Sequence, residues 1–543
     1  MVTRKSTANE ATRPGVRTGA GSVCPLMKLR ATYRPPGALR YRQPNGAWDV
    51  PTLDALITSR PVGSGPAVVD GDRRIDADQL EHMVAGLAGG LRRSGIRRGD
   101  VVTWQLPNWL EALVLFRACW RCGAVAAPLH HQMGAAEVEH MVDVLEPAVA
   151  FASSTLPLAQ RDGAVLVRSG ADARFDQLMT GPAVHTSPNR PSDLAVVIFT
   201  SGSTGQPKAV LHTHRSLAYK SLTMTGVHGL SGGDAVLMPA PLAHVSGLLN
   251  GVLVPGTAAM RTVLMERWDV ERGLHLMGAE HVSFMIGPPT MFTAVMEAPG
   301  FSSAAVASMR VVSSGMMGVS PAFIDAAHEG LGAIVKRSYG STEAPTVSTC
   351  TNLDPQDRCR DTDGRAVGQA EIRVIDPLSG RWRSPGQAGE VLIRGPELFA
   401  GYGEESDTSA SMYRGWFRSG DLGILDDQGW LTITGRIKEL IIRGGENISS
   451  TEVEHALELH PTISQAVVVG RPDERLGERV VAFVVARSEI DVAECRRWFA
   501  EQGVARFKTP EVVVQVGEVP LLAAGKPDRT ALKARAAALA VTP

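Results

Sequence analysis

The sequence has little of what marks several specialised classes of protein. Its 543 residues include six cysteines, and aromatic residues make up 5%, so we expect neither a disulfide scaffold nor binding of single-stranded nucleic acid by stacking. It has no apolar run of the roughly 18 residues that cross a membrane, and its first residues lack an apolar signal-peptide segment. We therefore predict a cytoplasmic protein without membrane insertion.

Neither sign of charge dominates the sequence. Its 55 basic and 56 acidic residues give a formal net charge of −1, which argues against nucleic acid as a partner. Hydrophobic residues make up 44% and charged residues 20%, as in ordinary globular proteins. The length suggests roughly three or four folding units.

The periodicity of apolar residues indicates how the chain is organised. Residues 1–25 are rich in Thr, Arg, Gly and Ser and predict a loose N-terminal arm. Up to about residue 370, strand-like runs such as Leu194–Thr200 and Val282–Ile286 alternate with helical patterns such as Ala77–Arg92 and Glu111–Cys122. This alternation indicates an α/β fold with covered sheets.

The pattern changes twice in the last third of the chain. Strand and turn signals from Glu371 predict a β-rich subdomain of about residues 371–434. Beyond it, a compact α+β pattern predicts a large N-terminal domain of residues 26–437 and a small C-terminal domain of residues 438–543. The elements expected in the small domain are helices Thr451–Leu459 and Val492–Glu501, and strands Ala466–Val469, Val480–Ala486 and Val512–Val516.

The string TSGSTGQPK (Thr200–Lys208) follows an apolar strand and suits a polyphosphate. Gly202 and Gly205 let the backbone approach closely and turn its N–H groups inward, and Lys208 adds a positive charge. It is not a Walker A loop, because an alanine rather than Ser or Thr follows the lysine. The side-chain donors are Thr200, Ser201, Ser203 and Thr204.

This string resembles the phosphate loop of the adenylate-forming superfamily, which includes acyl-CoA synthetases, adenylation domains of peptide synthetases and luciferases. The resemblance extends from about residue 50 to the end of the chain. It implies a large N-terminal domain of covered β-sheets with a β-rich subdomain, and a small, mobile C-terminal α+β domain. It also implies that the chain uses ATP and Mg²⁺ to activate a carboxylic acid.

SYGSTEA (Ser338–Ala344) resembles the second signature of that family. The resemblance implies that Tyr339 lies near adenine, that Thr342 meets phosphate and that Glu343 holds Mg²⁺ together with Thr342. A hard cation takes carboxylate and phosphate oxygens, which suits this assignment. Gly340 and Ser341 are expected in the same ATP-binding segment.

WFRSGDLG (Trp416–Gly423) and TGRIKEL (Thr434–Leu440) resemble two further segments of the family. They imply that Asp421 accepts hydrogen bonds from the ribose hydroxyls, that Arg436 contacts ribose or phosphate, and that Lys438 lies at the hinge of the C-terminal domain. A carboxylate suits a bidentate acceptor role.

The stretch that follows the hinge is RGGENISSTEVE. The resemblance implies that Gly444 and Gly445 line the tunnel for the thiol arm of CoA, where side chains would obstruct it. Ser449 and Glu452 have the spacing of a capping box, so we predict a helix start there.

PLLAAGKPDRTALK (Pro520–Lys533) resembles the final signature and implies that Lys526 is the catalytic lysine, supported by Lys208 and Glu343. Its task would be to neutralise charge where the carboxylate meets the α-phosphate. The chain has only nine lysines among its 55 basic residues, so a lysine at a motif position favours a site that needs a compact point charge.

The acyl side of the site is the least determined. PLAHVSG (Pro241–Gly247) resembles the segment that faces the substrate and implies His244 there; Val245 follows where amino-acid-activating domains often have Asp, which argues against a charged α-amino group. Gly315, Met316 and Met317 lie in a segment implied to line the acyl pocket. We predict a short, alicyclic or aromatic acid, and Arg30–Leu56 resembles cyclohexanecarboxylate–CoA ligases.

Three weaker signals are interpreted structurally. Cys119 and Cys122 lie on an apolar helical run without a second zinc-like pair, so we predict core residues. His130 and His131 have no metal-site companions in the sequence. The arginines at 92, 93, 97 and 98 are expected on a solvated face.

The sequence thus predicts an ATP-dependent acid–thiol ligase, an acyl-CoA synthetase acting on a small carboxylic acid and CoA. The acid would first form an acyl-adenylate with loss of pyrophosphate, and the thiol would then displace AMP while the C-terminal domain moves between the steps. Three alternatives stay open: loading of the acid onto a carrier protein, a non-catalytic adenylate-binding protein, and a phosphoryl-transferring P-loop kinase.

Overall fold

The computed structural model describes residues 29–60, 65–200, 207–315, 319–443, 446–521 and 526–539, with Asn447 described by its backbone only. Within these ranges, none of the helices is both long and apolar enough to cross a membrane. Helices and strands alternate along the chain, as the apolar pattern predicts.

The helices begin where the sequence supplies capping groups. Asp76, for example, accepts the N–H of Gln79 while the Gln79 side chain accepts the N–H of Asp76, a complete capping box. The α-helices are α1 Ala38–Tyr41, α2 Leu53–Thr58, α3 Ala77–Arg93, α4 Leu110–Cys122, α5 Ala135–Leu145, α6 Arg174–Met179, α7 His214–Val227, α8 Val245–Leu248, α9 Val254–Ala258, α10 Val270–Ala279, α11 Pro289–Met296, α12 Pro321–Leu331, α13 Gln356–Asp361, α14 Glu405–Ala410, α15 Ser450–Glu458, α16 Val492–Glu501 and α17 Arg529–Ala538.

The strands form four sheets. They are β1 Val68–Asp70, β2 Arg73–Ile75, β3 Val101–Gln105, β4 Val125–Leu129, β5 Val149–Ala152, β6 Val165–Leu166, β7 Leu194–Thr200, β8 Lys208–Thr213, β9 Ala235–Met238, β10 Arg261–Leu264, β11 Phe284–Gly287, β12 Val311–Ser314, β13 Ile334–Tyr339, β14 Ser348–Thr349, β15 Arg365–Ala366, β16 Glu371–Ile375, β17 Ala388–Arg394, β18 Met412–Tyr413, β19 Trp416–Leu425, β20 Leu431–Arg436, β21 Leu440–Arg443, β22 Glu446–Ser449, β23 Ile463–Asp473, β24 Gly477–Ala486 and β25 Val512–Gln515.

Two large sheets carry the first two thirds of the chain. One has six strands in the order β6-β5-β3-β4-β7-β8, and the other has nine in the order β15-β14-β13-β12-β11-β9-β10-β1-β2. A continuous core of buried side chains from α3, α4 and α7 and from strands of both sheets lies between them. Helix α5 covers the outer face of the first sheet, and α10 to α12 cover that of the second. The prediction of covered sheets is therefore confirmed.

Two smaller sheets follow. β16 to β20 form an antiparallel sheet, which begins at Glu371 as the sequence predicts. β21 to β25 form the last sheet, with α15 and α16 packed on one face and α17 on the other. The division into domains at residues 437 and 438 stays a prediction, although the change of sheet occurs in this part of the chain.

Some local predictions are exact and others are corrected. The helix Val492–Glu501 has the predicted bounds, whereas the strand expected at Ala466–Val469 is longer because it pairs with β24 along most of its length. Cys119 and Cys122 are buried, as predicted. The capping box at Ser449 is only half formed: Ser449 accepts the N–H of Glu452, but the Glu452 carboxylate binds Lys508 instead.

Candidate active site

The site forms where strands of different sheets end. β13 ends at Tyr339 and leads directly into the segment with Thr342 and Glu343, and the β7–β8 hairpin ends beside it with Thr200 paired to Lys208. Strands that end at one edge bring their following loops together, so residues distant in sequence meet there. The predicted phosphate-loop residues between Thr200 and Lys208, namely Ser201, Gly202, Ser203, Thr204 and Gly205, lie outside the described residues.

Glu343 is held on two sides by the segment that precedes α14. The backbone N–H of Phe399 donates to the Glu343 carbonyl at 2.8 Å, and the Tyr402 hydroxyl donates to Glu343 Oε1 at 2.6 Å. Burial and the neighbouring Glu343 raise the pKa of Tyr402, so its hydroxyl keeps its proton. The carboxylate is therefore oriented by a neutral donor. Sequence reasoning did not identify Tyr402.

Thr342 is fixed from behind by a buried histidine. His212 on β8 hydrogen-bonds through Nε2 to the Thr342 carbonyl at 2.8 Å. Burial lowers the pKa of His212 to about 4, so the ring is neutral and Nε2 carries the proton that it donates. The sequence analysis did not assign a role to His212. Its position on an apolar strand, four residues after Lys208, was a signal that could have indicated one.

Lys208 does not project freely from the hairpin. Its Nζ lies 2.6 Å from Asp407 Oδ1 and 5.6 Å from the centre of the Tyr402 ring. Asp407 lies in α14, and the sequence gave no indication of this partner. The lysine is therefore positioned by a carboxylate and an aromatic ring at the edge of the site, and a phosphate would have to compete with Asp407 for it.

Asp421 on β19 has both carboxylate oxygens occupied. Oδ2 accepts the Tyr339 hydroxyl at 2.8 Å, and Oδ1 lies 2.9 Å from Arg436 Nε. Burial, reinforced by Asp421, raises the pKa of Tyr339. Tyr339, Asp421 and Arg436, all predicted to contact the nucleotide, thus form one network. A ribose that binds Asp421 would have to displace Tyr339 or Arg436 from its carboxylate.

Lys526 connects the last sheet region with this network. Burial, followed by the charge of Arg436, lowers its pKa, while Asp421, Glu439 and Glu343 oppose that shift. Glu439 was not predicted; it also forms an ion pair with Arg529 at 3.4 Å. This ion pair ties the segment that carries Lys526 to the turn that follows Arg436.

His244 was predicted to face the acyl group of the substrate. It precedes α8 as its N-cap, and its Nδ1 accepts the N–H of Ser246 at 3.2 Å. Burial, followed by the charge of Lys526, lowers the pKa of His244 to about 4, so the ring is neutral. The preceding segment is held by Asn108, whose Oδ1 accepts the N–H of Leu242 at 2.9 Å.

The glycines around Tyr339 permit close backbone packing. A Cβ on Gly315 would lie 2.7 Å from the Ser338 carbonyl oxygen, and one on Gly340 would lie 2.3 Å from the Thr346 nitrogen. Ser341 accepts the N–H of Ala344 on its hydroxyl at 3.3 Å, which closes the turn. Met316 and Met317, predicted for the acyl pocket, lie outside the described residues.

The predicted hinge is a short 3₁₀ turn, Ile437–Glu439, in which Lys438 is exposed. The Ser449 hydroxyl donates to the Thr434 carbonyl at 2.6 Å and so joins the elements on either side of the turn. Gly444 and Gly445, predicted for the CoA tunnel, lie outside the described residues.

Comparison with known families agrees with this arrangement. A family model described as AMP-binding enzyme matches residues 59–403, and one described as AMP-binding enzyme C-terminal domain matches residues 452–526. The chain belongs to the AMP-binding enzyme family. It is an AMP-forming acid–thiol ligase, so the resemblance seen in the sequence is confirmed.

Two curated relatives illustrate the similarity. A medium-chain fatty-acid–CoA ligase of Escherichia coli is 31% identical over 92% of this chain and 93% of its own length. An indoleacetate–CoA ligase of Aromatoleum aromaticum is 32% identical over 84% of this chain and 92% of its own length.

Solved structures show the same fold. ATP-bound MatB from Rhodopseudomonas palustris is 26% identical, with a TM-score of 0.83 over 90% of this chain and 99% of its own. An o-succinylbenzoate CoA synthetase from Bacillus subtilis, in complex with its acyl-adenylate, is 25% identical, with a TM-score of 0.77 over 89% of this chain and 98% of its own. The adenylate-forming fold predicted from the sequence is therefore confirmed.

The residues around Glu343 fit a magnesium ion that is held mainly by its substrate. The described part of the chain contains no cluster of three or more His, Cys, Asp or Glu that could hold a metal by itself. Mg²⁺ commonly takes one or two carboxylates together with substrate phosphates. Glu343 supplies such an oxygen and already accepts a hydroxyl donor rather than a cation.

Proposed function

We propose that this ligase activates a short, alicyclic or aromatic carboxylic acid with ATP and transfers the acyl group to the thiol of CoA. The observation that carries the proposal is the network in which Asp421 binds both Tyr339 and Arg436. The ion pair between Arg529 and Glu439 ties the segment that carries Lys526 to the turn after Arg436. The Lys526 ammonium would then stabilise charge where carboxylate and α-phosphate react.

In the first half-reaction an oxygen of the carboxylate attacks the α-phosphorus, and pyrophosphate leaves. Negative charge from both reactants accumulates at the point of attack, and the Lys526 ammonium would stabilise it there. Tyr339, Asp421 and Arg436 would hold the adenosine part, and Lys208, with Thr200 and the loop between them, would hold the outer phosphates.

Mg²⁺, when bound, would supply positive charge that neutralises the phosphates. Glu343 would hold it, supported by Thr342. The Tyr402 hydroxyl and the Phe399 N–H fix Glu343, and His212 fixes the Thr342 carbonyl. These contacts hold the Glu343 carboxylate and the backbone of Thr342 and Glu343 in place before nucleotide arrives, which lowers the cost of assembling the site.

In the second half-reaction the thiol displaces AMP from the acyl-adenylate. The thiol needs access to the carbonyl carbon, a position next to Lys526 in the present conformation. We propose that rotation about Lys438 withdraws Lys526 and brings Gly444 and Gly445 to the site. The 3₁₀ turn Ile437–Glu439, in which Lys438 is exposed, would absorb this change, and the ion pair between Glu439 and Arg529 would open.

The chemical class of the carboxylic acid is the most specific part of the proposal. The relatives named above act on a medium-chain fatty acid and on indoleacetate, and a further relative, 31% identical over 85% of this chain, is a feruloyl-CoA synthase of an Amycolatopsis species. Two of these acids are aromatic, which supports the predicted class. The absence of a carboxylate at Val245 supports an acid without an ammonium group.

Acid-dependent exchange of pyrophosphate into ATP tests the proposal directly. We expect exchange with benzene- or cyclohexane-carboxylates and formation of their CoA thioesters, with lower kcat/KM for palmitate. A higher kcat/KM for palmitate would contradict the acid class. If the thioester forms only on the phosphopantetheine of a carrier protein, the acceptor is that carrier protein and not CoA.

A further inference from the structure

The lysine at the end of the phosphate-loop motif already has an anion as its partner. Lys208 is the first residue of β8, where its backbone pairs with Thr200 at the end of β7. Its Nζ lies 2.6 Å from Oδ1 of Asp407, a residue of α14 that is 199 positions away in the sequence. A group that binds this lysine must therefore take the place of a carboxylate that the chain itself supplies.

The segment that carries Asp407 is anchored independently of the ion pair. The N–H of Gly403 donates to the carbonyl of Ala209, the neighbour of the lysine, at 2.8 Å. The Thr408 hydroxyl, one residue after Asp407, accepts the N–H of Tyr402 at 2.8 Å. These contacts keep Asp407 within reach of the lysine, so the carboxylate stays available when the lysine leaves it.

One tyrosine ring connects Lys208 with Glu343. Nζ of Lys208 lies 5.6 Å from the centre of the Tyr402 ring, and the hydroxyl of the same ring donates to Glu343 Oε1 at 2.6 Å. Glu343 is the residue proposed to hold Mg²⁺, which binds substrate phosphates. Because both groups contact one side chain, we expect both to act on one polyphosphate chain.

The ion pair is exposed enough to exchange its members. The side chain of Lys208 keeps 25% of its surface accessible and that of Asp407 keeps 32%, so water can solvate either group when they separate. Solvent screening makes such a pair weaker than a buried one. A terminal phosphate carries more negative charge than a carboxylate and has three strong acceptor oxygens, so it competes well for the ammonium.

We propose that Asp407 is a positioning residue of this ligase, which holds Lys208 when ATP is absent and gives it up to the outer phosphates of ATP. This inference rests on the proposed function, because that function assigns Lys208 to those phosphates. No covalent bond changes, since the ammonium only exchanges one anionic partner for another. Binding of ATP breaks the ion pair and loss of pyrophosphate restores it, so Asp407 weakens ATP binding and favours release of pyrophosphate.

Removing the carboxylate should therefore strengthen the binding of ATP. Only the ATP-free state contains the ion pair, so its loss destabilises that state relative to the complex. The strength of a partly exposed pair lies between those of exposed and buried pairs, and we expect a roughly 3- to 30-fold lower Kd for ATP. AMP has no outer phosphates for Lys208 to hold, so its Kd should stay unchanged.

Calorimetric titration of the full chain with ATP and Mg²⁺, without a carboxylic acid, measures this affinity in the absence of turnover. We expect Asp407→Asn and Asp407→Ala to bind ATP more tightly than the wild type and to bind AMP equally well. A merely structural role of Asp407 would instead weaken the binding of both nucleotides. In thioester formation, pyrophosphate should inhibit both variants more strongly than the wild type.

Glu405→Gln is the matched control for these variants. It removes an exposed carboxylate from the same helix, α14, and should leave the Kd values of ATP and AMP unchanged. A double substitution connects the effect to the lysine. In a Lys208→Met background, Asp407→Asn should no longer change the Kd for ATP, because the partner of the carboxylate is gone.

The outcomes separate this role of Asp407 from the function on which it rests. If no carboxylic acid supports pyrophosphate exchange, the proposed function is wrong. If exchange occurs but neither Asp407 variant binds ATP more tightly than the wild type, the function stands and the role of Asp407 is wrong. An equal gain in Glu405→Gln, or a gain that persists without Lys208, would also overturn that role.

Discussion

At the scale of single residues, the site is built from predicted side chains and partners that the sequence did not reveal. Glu343, Asp421 and Lys526 were expected from the motifs, and Glu343 and Asp421 are each oriented by a residue from elsewhere in the chain. Tyr402 lies 59 positions from Glu343, and Tyr339 lies 82 positions from Asp421. Catalytic groups need such fixed neighbours because small displacements at the reacting centre reduce rates strongly.

Replacing Lys526 with alanine should separate the two half-reactions. Losing one preorganised electrostatic group typically costs about 10²–10³ in rate, so we expect pyrophosphate exchange to fall by that factor. Thioester formation from supplied acyl-adenylate should remain near the wild-type rate, because the lysine would be withdrawn for that step. An equal loss in both assays would contradict the proposed role of Lys526.

Tyr402→Phe should weaken the binding of Mg²⁺ at Glu343. The change removes the hydroxyl that donates to Glu343 Oε1, and a hydrogen bond to a charged group is worth about 1.5–3 kcal/mol. We expect a higher Mg²⁺ concentration for half-maximal pyrophosphate exchange and a roughly 10- to 100-fold lower kcat/KM for ATP.

The matched control for Tyr402→Phe is Tyr413→Phe. The Tyr413 hydroxyl donates to the Gly380 carbonyl at 3.1 Å, away from Glu343. It should leave the magnesium dependence unchanged. If the two variants respond alike to magnesium, Tyr402 does not position Glu343.

At the scale of elements, a buried ion pair behind the Tyr339–Glu343 segment braces the turn that ends it. Lys220 on α7 donates to the Thr346 carbonyl at 2.9 Å and lies 3.8 Å from Glu397 Oε1. Both side chains are fully buried, and neither oxygen of Glu397 has a hydrogen-bond partner. Burial lowers the pKa of Lys220 and raises that of Glu397. The pair therefore depends on both members being present.

Lys220→Met alone should lower the free energy of unfolding more than the double substitution of Lys220→Met with Glu397→Met. Removing one member leaves an uncompensated buried group and costs about 3–5 kcal/mol, whereas replacing both by apolar side chains is often nearly neutral. We expect a clearly lower thermal unfolding midpoint for the single variant and partial recovery for the double variant. A double variant no more stable than the single one would show that the pair is not the source of the loss.

At the scale of the whole molecule, the conformation brings the C-terminal sheet region onto the site. Gly435, just before the hinge turn, faces Ser449 just after it, and a Cβ on Gly435 would lie 2.3 Å from Ser449 Oγ. The same hydroxyl donates to the Thr434 carbonyl. The arrangement of the chain on the two sides of the hinge turn thus depends on close packing between Gly435 and Ser449.

Gly435→Ala should disfavour this arrangement. Overpacking typically costs about 1–3 kcal/mol, so we expect pyrophosphate exchange to fall by roughly 5- to 150-fold. Thiolysis of supplied acyl-adenylate should fall less, because it would use the other arrangement. Adding Ser449→Ala removes the clashing oxygen and should restore part of the exchange, since the backbone of residue 435, at φ 155°, still disfavours alanine. Ser449→Ala alone is the control. A double variant that stays as slow as Gly435→Ala would refute the explanation.

Much of the fold and of the site could be predicted from local sequence. Strand β7 and helix α16 have the predicted bounds because their apolar patterns and caps are local. Glu343, Asp421 and Lys526 could be named because short motifs carry their chemistry. The roles of Tyr402 and His212 could not be predicted, since the residues they contact lie 59 and 130 positions away in the sequence.

The sequence by itself determined the alternation of helices and strands, the glycine- and hydroxyl-rich turn, and the charged residues available for catalysis, because these depend on spacing within a few residues. Only the tertiary structure decided that Asp407 meets Lys208, 199 positions away, and that His212 meets the Thr342 carbonyl, 130 positions away. Such pairs form only when several sheets pack together, since the free energy that brings them together is spread over the buried core rather than over either partner.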